Sequence, residues 1–387
     1  MTDTTTESTS ALDEFDRAAA DLHLQGQWVA ERFLEGAIGG PKPAGVPYVW
    51  NARTMADALD DATVALGPVD TARRHLSCVN PGLAGAATTH TLSAGMQMVK
   101  PGEVCSAHRH SMSAIRFVTS GHPEAYTAVD GEKLHMEDFD LLLTPRFSWH
   151  DHHNPSDKDV VWLDALDIGL VRSLNQTFYE PYGESSQILR DGDAYGVGTR
   201  SHWLRPAWEQ DRTGRLPVRY RWSEVRERLA MYDGHPGSRY DGLALRYANP
   251  VTGGPTLPTI DCWIQSLPAG FSGAPHRRTS SSISYVVSGN GSVETADAVT
   301  HIGPGDISAM PNWTTHRLIN ASSKDPLVLF TVTDAPVLQH LGLFHEEPED
   351  VVGASPSPRI PTESLTPLYR PSAFLDSGEP FTDRKSR

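Results

Sequence analysis

The sequence predicts a mainly β protein made of two tandem β-barrels, with helices at its N-terminal end and in the linker. Three observations predict that class. Short apolar runs, broken by Gly, Pro, Asn and Asp every eight to twelve residues, occupy about 74–170 and return over about 256–341; that is the texture of an antiparallel sandwich or barrel. The 387 residues include 32 Gly and 29 Pro, a supply of turn formers that suits strands better than a helix bundle. The two strand-rich segments are also copies of one another. Displacing the first by 168 residues lays Gln97 on Gln265, Gly102 on Gly270, His108 on His276, Ile115 on Ile283 and Gly121 on Gly289. A displacement of 166 lays Asp140 on Asp306, Pro145 on Pro311, His150 on His316 and Asn154 on Asn320.

In chain order, residues 11–35 carry helical spacing through Leu12, Phe15, Ala19 and Leu22, with Asp13 and Glu14 in the first turn. Residues 53–66 read as a second helix, so 1–72 forms an N-terminal helical segment. The first barrel spans 73–175, and a linker over 176–250 mixes turns with one helix near Trp222–Tyr232. The second barrel spans 251–345. A Pro/Ser-rich tail, 346–387, is expected to wrap the surface or a neighbouring subunit.

Composition narrows the function. Lys and Arg number 33 against 48 Asp and Glu, a net charge of −15, which argues against a nucleic-acid partner because a phosphate backbone needs a basic face. With 39% hydrophobic and 21% charged residues, the chain is too apolar to be disordered. Cys78, Cys105 and Cys262 form no CxxC pair, so the expected compartment is a reducing cytoplasm. Met1–Ser10 lacks the basic and apolar regions of a signal peptide, and no apolar run is long enough to span a membrane.

The first copy holds the chemistry. Gly102-x5-His108-x-His110 is followed by Gly121 and by Pro145-x4-His150-x3-Asn154. On a strand, residues i and i+2 share a face, so His108 and His110 can point together into a barrel. A third histidine from a later strand would close a facial set suited to Fe, Zn, Cu or Ni, with positions left open. The plainer alternative is two surface histidines flanking Arg109; the surrounding spacing weighs against it.

These residues resemble the two motifs of the cupin superfamily, G-x5-H-x-H-x3/4-E-x6-G and G-x5-P-x-G-x2-H-x3-N. The departures are Ala114 at the usual glutamate ligand, and Phe139 and Phe147 at the second motif's glycines. Three neutral imidazoles without a carboxylate leave a divalent ion near charge +2, which favours a chelating dianion such as a phenolate beside a carboxylate. In the second copy, His276 and His316 survive while Arg278 replaces the second histidine and Ser282 the glutamate. A guanidinium there disfavours a cation, so that barrel is expected to be structural and metal-free, with His276 and His316 ordinary hydrogen-bonded histidines.

A narrower likeness follows from the string His108-Arg-His-Ser-Met-Ser-Ala-Ile-Arg-Phe-Val, with Tyr126-Thr-Ala-Val-Asp-Gly-Glu, Leu143-Thr-Pro, Trp149-His-Asp-His and Trp162-Leu-Asp-Ala-Leu-Asp. It resembles the bicupin ring-cleaving dioxygenases of gentisate, 1-hydroxy-2-naphthoate and salicylate, densely over 73–175 and more weakly over 256–345. The resemblance implies one Fe(II) per chain, held by His108, His110 and His150. It also implies Arg116 on the substrate carboxylate, at even spacing from His108 and His110, and His152 beside the iron as a proton acceptor or donor to oxygen. Asp164 would orient a ligand or His152. Gln97 would line the pocket, although its recurrence as Gln265 fits a structural role equally, and Arg73 or Arg74 would reach in from the N-terminal side. The implied reaction opens the bond between hydroxyl- and carboxyl-bearing ring carbons and inserts both atoms of O2. The implied assembly is a homo-oligomer, a tetramer or hexamer.

Met112 beside the HRH string is adaptable and apolar, which suits a fused second ring; Phe139 and Phe147 either add to that apolar bulk or only pack the barrel. The expected order is therefore 1-hydroxy-2-naphthoate, then gentisate, then salicylate. Two other classes stand against this reading. A non-redox metal cupin, such as a decarboxylase, is disfavoured by Ala114, and a metal-free binding bicupin is disfavoured by the retained histidines.

Overall fold

Alternation along Ala114–Ser120 shows how each copy is layered. Phe117 points into a cluster shared by both copies, whereas Val118 points into the first barrel's own core, as a period of two requires. A computed structural model describes residues 5–29, 40–66, 74–85, 87–189 and 218–348. Each copy is a pair of antiparallel sheets, one of six strands and one of five. The first copy's six-stranded sheet centres on Ala114–Ser120, Val160–Leu166 and Ser93–Val99, and the second's on Ser282–Ser288, Leu327–Thr333 and Asp261–Leu267.

The two copies share a core. Phe117 stacks on Phe330 with ring centroids 4.0 Å apart, and Ile115, Leu163, Tyr247, Ile264 and Ile283 pack around them. They also exchange edge strands. Tyr48–Trp50, which precedes the first copy, pairs with Ile307–Met310 of the second. Val218–Tyr220, which precedes the second copy, pairs with Leu141–Thr144 of the first.

The helices that follow these strands are held crosswise too. Asp306 accepts from the Ala52 backbone N–H at 2.7 Å, at the start of Ala52–Ala65, and Asp140 accepts from that of Trp222 at 2.8 Å, at the start of Trp222–Met231. A further pair crosses the interface: Thr259 Oγ1 donates to Asp167 at 2.5 Å, and Thr91 Oγ1 donates to Asp334.

The repeated motif residues have plain structural causes. Asn154 Nδ2 donates to the carbonyls of Val99 and Lys158 at 2.8 and 2.7 Å, and Asn320 does the same at Leu267 and Asp325. A side chain at Gly121 would meet the Met136 carbonyl at 2.4 Å, and one at Gly289 the Pro326 carbonyl at 2.3 Å. The expected glycine positions at Phe139 and Phe147 keep the left-handed backbone, both at φ 62°. A non-glycine residue is costly there. Of the two readings of this bulk, packing holds for Phe139, which lies against Phe117 and Trp222, while Phe147 is 37% exposed beside Phe178.

The N-terminal helix is shorter than its spacing predicts. It runs Thr5–Asp21 and ends where His23 takes φ 58° and Leu24 N–H bonds back to the Ala19 carbonyl at 2.8 Å, the wrap that closes a helix. Residues 30–35 of the expected helix lie outside the described residues, as do 190–217 of the linker and 349–387 of the tail. Among the described residues no helix is long and apolar enough to cross a membrane.

Candidate metal centre

Strand pairing assembles the three histidines. His108 lies opposite His150 where Val104–His110 meets His150–His153, and His110 shares the face of His108 two residues on. One ligand atom from each of His108, His110 and His150 lies within 4.8 Å of the others. The ring centroids are 4.3 Å apart for His108–His150, 4.8 Å for His110–His150 and 5.7 Å for His108–His110.

Their tautomers are set by backbone. Nδ1–H of His108 donates to the Ser106 carbonyl at 2.8 Å, that of His110 to Met112 at 2.9 Å and that of His150 to Ser148 at 3.0 Å. Each ring therefore presents Nε2 as a lone pair. His150 is fully buried, and its Nε2 has no hydrogen-bond partner among the described residues. Burial pulls the pKa of His110 down to about 4, helped by His108 and Arg116, and holds His150 well below the usual imidazole range. Three imidazoles whose ligand atoms converge, two of them kept unprotonated by burial, fit a divalent transition metal. Ala114, fully buried, brings no carboxylate to them.

Arg116 enters from the next strand along the chain, Ala114–Ser120, which lies in the six-stranded sheet, so even spacing from His108 does not place it. Its inward aim comes from pairing directly with Asp164 across the sheet. Nε of Arg116 lies 3.5 Å from Oδ1 of Asp164, and Nη1 donates to Thr144 Oγ1. Burial lowers the arginine pKa while Asp164 opposes it; burial likewise raises that of Asp164 against the pull of Arg116. Asp164 thus faces Arg116, and the expected partnership with a ligand or with His152 gives way to an ion pair.

His152 is buried with its ring 6.1 Å from that of His150 and 4.9 Å from Trp162, and its Nδ1 shares a hydrogen bond with Thr127 Oγ1 at 2.8 Å. Burial first, then Arg116, keeps it unprotonated. Gln97 Nε2 donates to Cys105 Sγ at 3.5 Å, opposite Trp162. Met112 is half-buried at the turn after His110.

Arg74 needs correction. Both its Nη atoms bond Glu103 at 2.9 Å, and it is 2% exposed, so its charge is spent on the turn before Val104 instead of a substrate. Arg73 lies outside the described residues. Two neighbours escaped the sequence reading. His75 Nε2 lies 3.9 Å from Asp164 Oδ2; its place beside Arg73 and Arg74 was the available signal. The Tyr179 ring stacks on His108 at 5.3 Å from a strand, Tyr179–Pro181, that pairs alongside the ligands, and no motif marks it.

In the second copy, Arg278 stands in the position of His110 and is clamped by Asp241 and Glu346. His276 and His316 keep the Nδ1–H bonds to backbone, at Ala274 (3.3 Å) and Thr314 (2.9 Å). They are not wholly ordinary, because Nε2 of His276 is buried without a partner among the described residues. Among the described residues, the first copy's trio is the one cluster of three or more metal-ligating side chains.

The profile of the cupin domain matches residues 95–166 and 263–333. The chain is 61% identical over 372 residues to a 1-hydroxy-2-naphthoate 1,2-dioxygenase of Nocardioides sp. (strain KP7), covering 96% of each. It is 40% identical to a 5-aminosalicylate 1,2-dioxygenase of Comamonas sp., covering 78% of this chain and 81% of that one. A crystal structure of salicylate 1,2-dioxygenase from Pseudoaminobacter salicylatoxidans, in adduct with gentisate, superposes with a TM-score of 0.76 at 28% identity, over 90% of this chain and 96% of that one. A duplicated cupin frame and 61% identity along nearly the whole of a 1,2-dioxygenase place the protein in the bicupin family of ring-cleaving 1,2-dioxygenases.

Proposed function

We propose that this chain is an Fe(II)-dependent dioxygenase that opens a hydroxy-aromatic acid between its hydroxyl- and carboxyl-bearing carbons, with 1-hydroxy-2-naphthoate as the preferred acid. The observation that carries the reading is the convergence of three imidazole lone pairs beside one buried guanidinium. His108, His110 and His150 would hold one iron per chain, in the cupin over 73–175; the cupin over 251–345 would hold none. Bound iron supplies the electron exchange with O2 and the Lewis acidity that a phenolate needs.

The side chains divide the remaining work. Arg116 takes the substrate carboxylate, while Thr144 and Asp164 fix the plane of its guanidinium. His152, kept neutral by burial and braced by Thr127, accepts the phenolic proton. Val118, Leu142 and Trp162 form a dry inner wall, which strengthens every charge interaction beside them. Gln97 lines the pocket and Met112 its edge. The half-open Tyr179 ring, stacked on His108 at 29° between planes, offers a face to a second fused ring.

The naphthoate preference rests on Met112, Tyr179 and the 61% identical relative; gentisate is the second reading, favoured by the adduct seen in the salicylate dioxygenase. Purified, iron-loaded protein assayed with naphthoate, gentisate and salicylate tests both. One O2 consumed per acid lost, fastest with the naphthoate, is expected. Faster gentisate turnover overturns the preference, and acid loss without O2 uptake overturns the reaction. The family likeness supports a homo-oligomer, a tetramer or hexamer. Three buried, unpaired cysteines support a cytoplasmic setting.

A further inference from the structure

The turn Ser111–Ser113 joins Val104–His110 to Ala114–Ser120 and carries the acceptor for one candidate ligand: the Met112 carbonyl takes Nδ1–H of His110 at 2.9 Å. The turn is tied down at both ends. Ser111 N–H donates to the Phe178 carbonyl at 3.1 Å, and its hydroxyl accepts from Phe178 N–H at 2.9 Å. Ser113 is 1% exposed, and its N–H donates to Oδ1 of Asp167 at 2.8 Å.

Asp167 is wholly buried, so the direction of its carboxylate depends on the donors that reach its other oxygen. Arg146 Nη2 donates to Oδ2 at 2.7 Å and Thr259 Oγ1 donates to it at 2.5 Å. The same Nη2 donates to the Thr259 hydroxyl oxygen at 2.9 Å, which closes a triangle of bonds. Arg146 and Asp167 belong to the first copy and Thr259 to the second. A short chain of bonds therefore runs from Thr259, through Asp167 and the turn, to the ring of His110.

The duplicated frame separates what belongs to the fold from what belongs to the site. A displacement of 168 lays Thr91 on Thr259 and Ser113 on Ser281, and one of 167 lays Asp167 on Asp334. Asp334 accepts from the Ser281 N–H at 2.7 Å and from Thr91 Oγ1, so the brace joins the copies in both directions. Two things differ. The first copy's aspartate also takes Arg146, where the second copy has Asn312. The first copy's turn follows His110, where the second's follows Arg278.

We propose that Thr259 and Arg146 are positioning residues of the metal centre. By fixing the Asp167 carboxylate they hold the Ser111–Ser113 turn, and with it the carbonyl that sets the tautomer and tilt of His110. The second copy thereby takes part in the first copy's chemistry without touching substrate. The inference rests on His110 being a ligand. Groups behind a ligating histidine typically carry about 10–100-fold in metal affinity, and one removed by two bonds belongs at the lower end.

Anaerobic competition for Fe(II) between the full-length protein and a chelating dye tests this without turnover. Thr259→Val should weaken Fe(II) binding about tenfold, while Thr259→Ser, which keeps the hydroxyl, should stay within about twofold of the parent. Thr91→Val breaks the mirrored bond on Asp334; it should lower the denaturant midpoint as Thr259→Val does, yet leave Fe(II) affinity unchanged. Should Thr259→Val reduce the folded fraction, Arg146→Met, at a half-buried side chain, replaces it and should weaken binding likewise. Parent-like affinity in the Thr259→Val or Arg146→Met protein, or equal weakening in Thr91→Val, overturns the proposal, since the brace would then serve the fold alone. Unmodified protein that takes up no Fe(II) overturns the ligand assignment itself, and this inference with it.

Discussion

Nε of Arg116 lies 3.5 Å from Oδ1 of Asp164, with both side chains closed off from water. Each is the other's charge compensation, Nη1 donates to Thr144, and the proposed role of Arg116 is to meet a substrate carboxylate with what remains of the guanidinium.

Arg116→Met should therefore lower kcat/KM by about 100-fold or more, as removing one partner of a buried charge pair costs roughly 2–5 kcal/mol. Arg116→Lys should recover little, because an ammonium cannot serve Asp164 and a substrate through one plane. Steady-state kinetics on both variants check this; a lysine variant within a few-fold of the parent would contradict the planar role.

The two barrels should answer differently to loss of the residue at matching repeat positions, His110 and Arg278. His110→Ala should abolish iron retention after anaerobic loading, since two imidazoles rarely hold a divalent ion. Arg278→Ala should leave the metal content at one per chain. Metal analysis per chain decides both, and a second equivalent in unmodified protein would refute the assignment to the first copy.

Acid should weaken the metal-free protein well above the pH at which carboxylates protonate. His110, His276 and His316 are each held at about 4, below the ordinary imidazole value, chiefly by burial. Unfolded chain takes up these protons near pH 6.5, whereas the folded chain waits until about 4. The stability they confer is full above pH 6.5 and drains as pH falls toward 4, by up to about 1.4 kcal/mol per pH unit for each group. Denaturant midpoints recorded between pH 7.5 and 5 should fall; a level profile would show that the rings are protonated in the folded state.

Phe330→Ala should cost about 3–5 kcal/mol, the range for an aromatic lost from a core. Phe330 belongs to the second copy but stacks on Phe117 of the first. Calorimetry should accordingly show both copies melting earlier together. A shifted second-copy transition beside an unshifted first would break the picture of a shared core.

The histidine frame was legible because it combines a short-range pattern, residues i and i+2 on one strand, with a repeat that preserves turn glycines and Asn154. Arg116 was found for an incomplete reason: spacing does not carry across the turn at Ser111–Ser113, and its aim depends on Asp164 in a strand nearly fifty residues away. Arg74 misled because a basic residue near a site looks like a ligand until Glu103 is seen to take it. Phe139 and Phe147 stood out by identity, while what the fold conserves there is a left-handed backbone. Tyr179 was invisible, since its place beside His108 arises from packing between distant segments.

The crossed edge strands bear on how the molecule is made. With Val218–Tyr220 finishing the first sheet and Tyr48–Trp50 finishing the second, a nascent first half leaves the ribosome carrying a rim that belongs to its twin and lacking its own. Severing the gene between the halves would give two fragments, each holding the missing border of the other, that mature as a pair and fail when expressed singly.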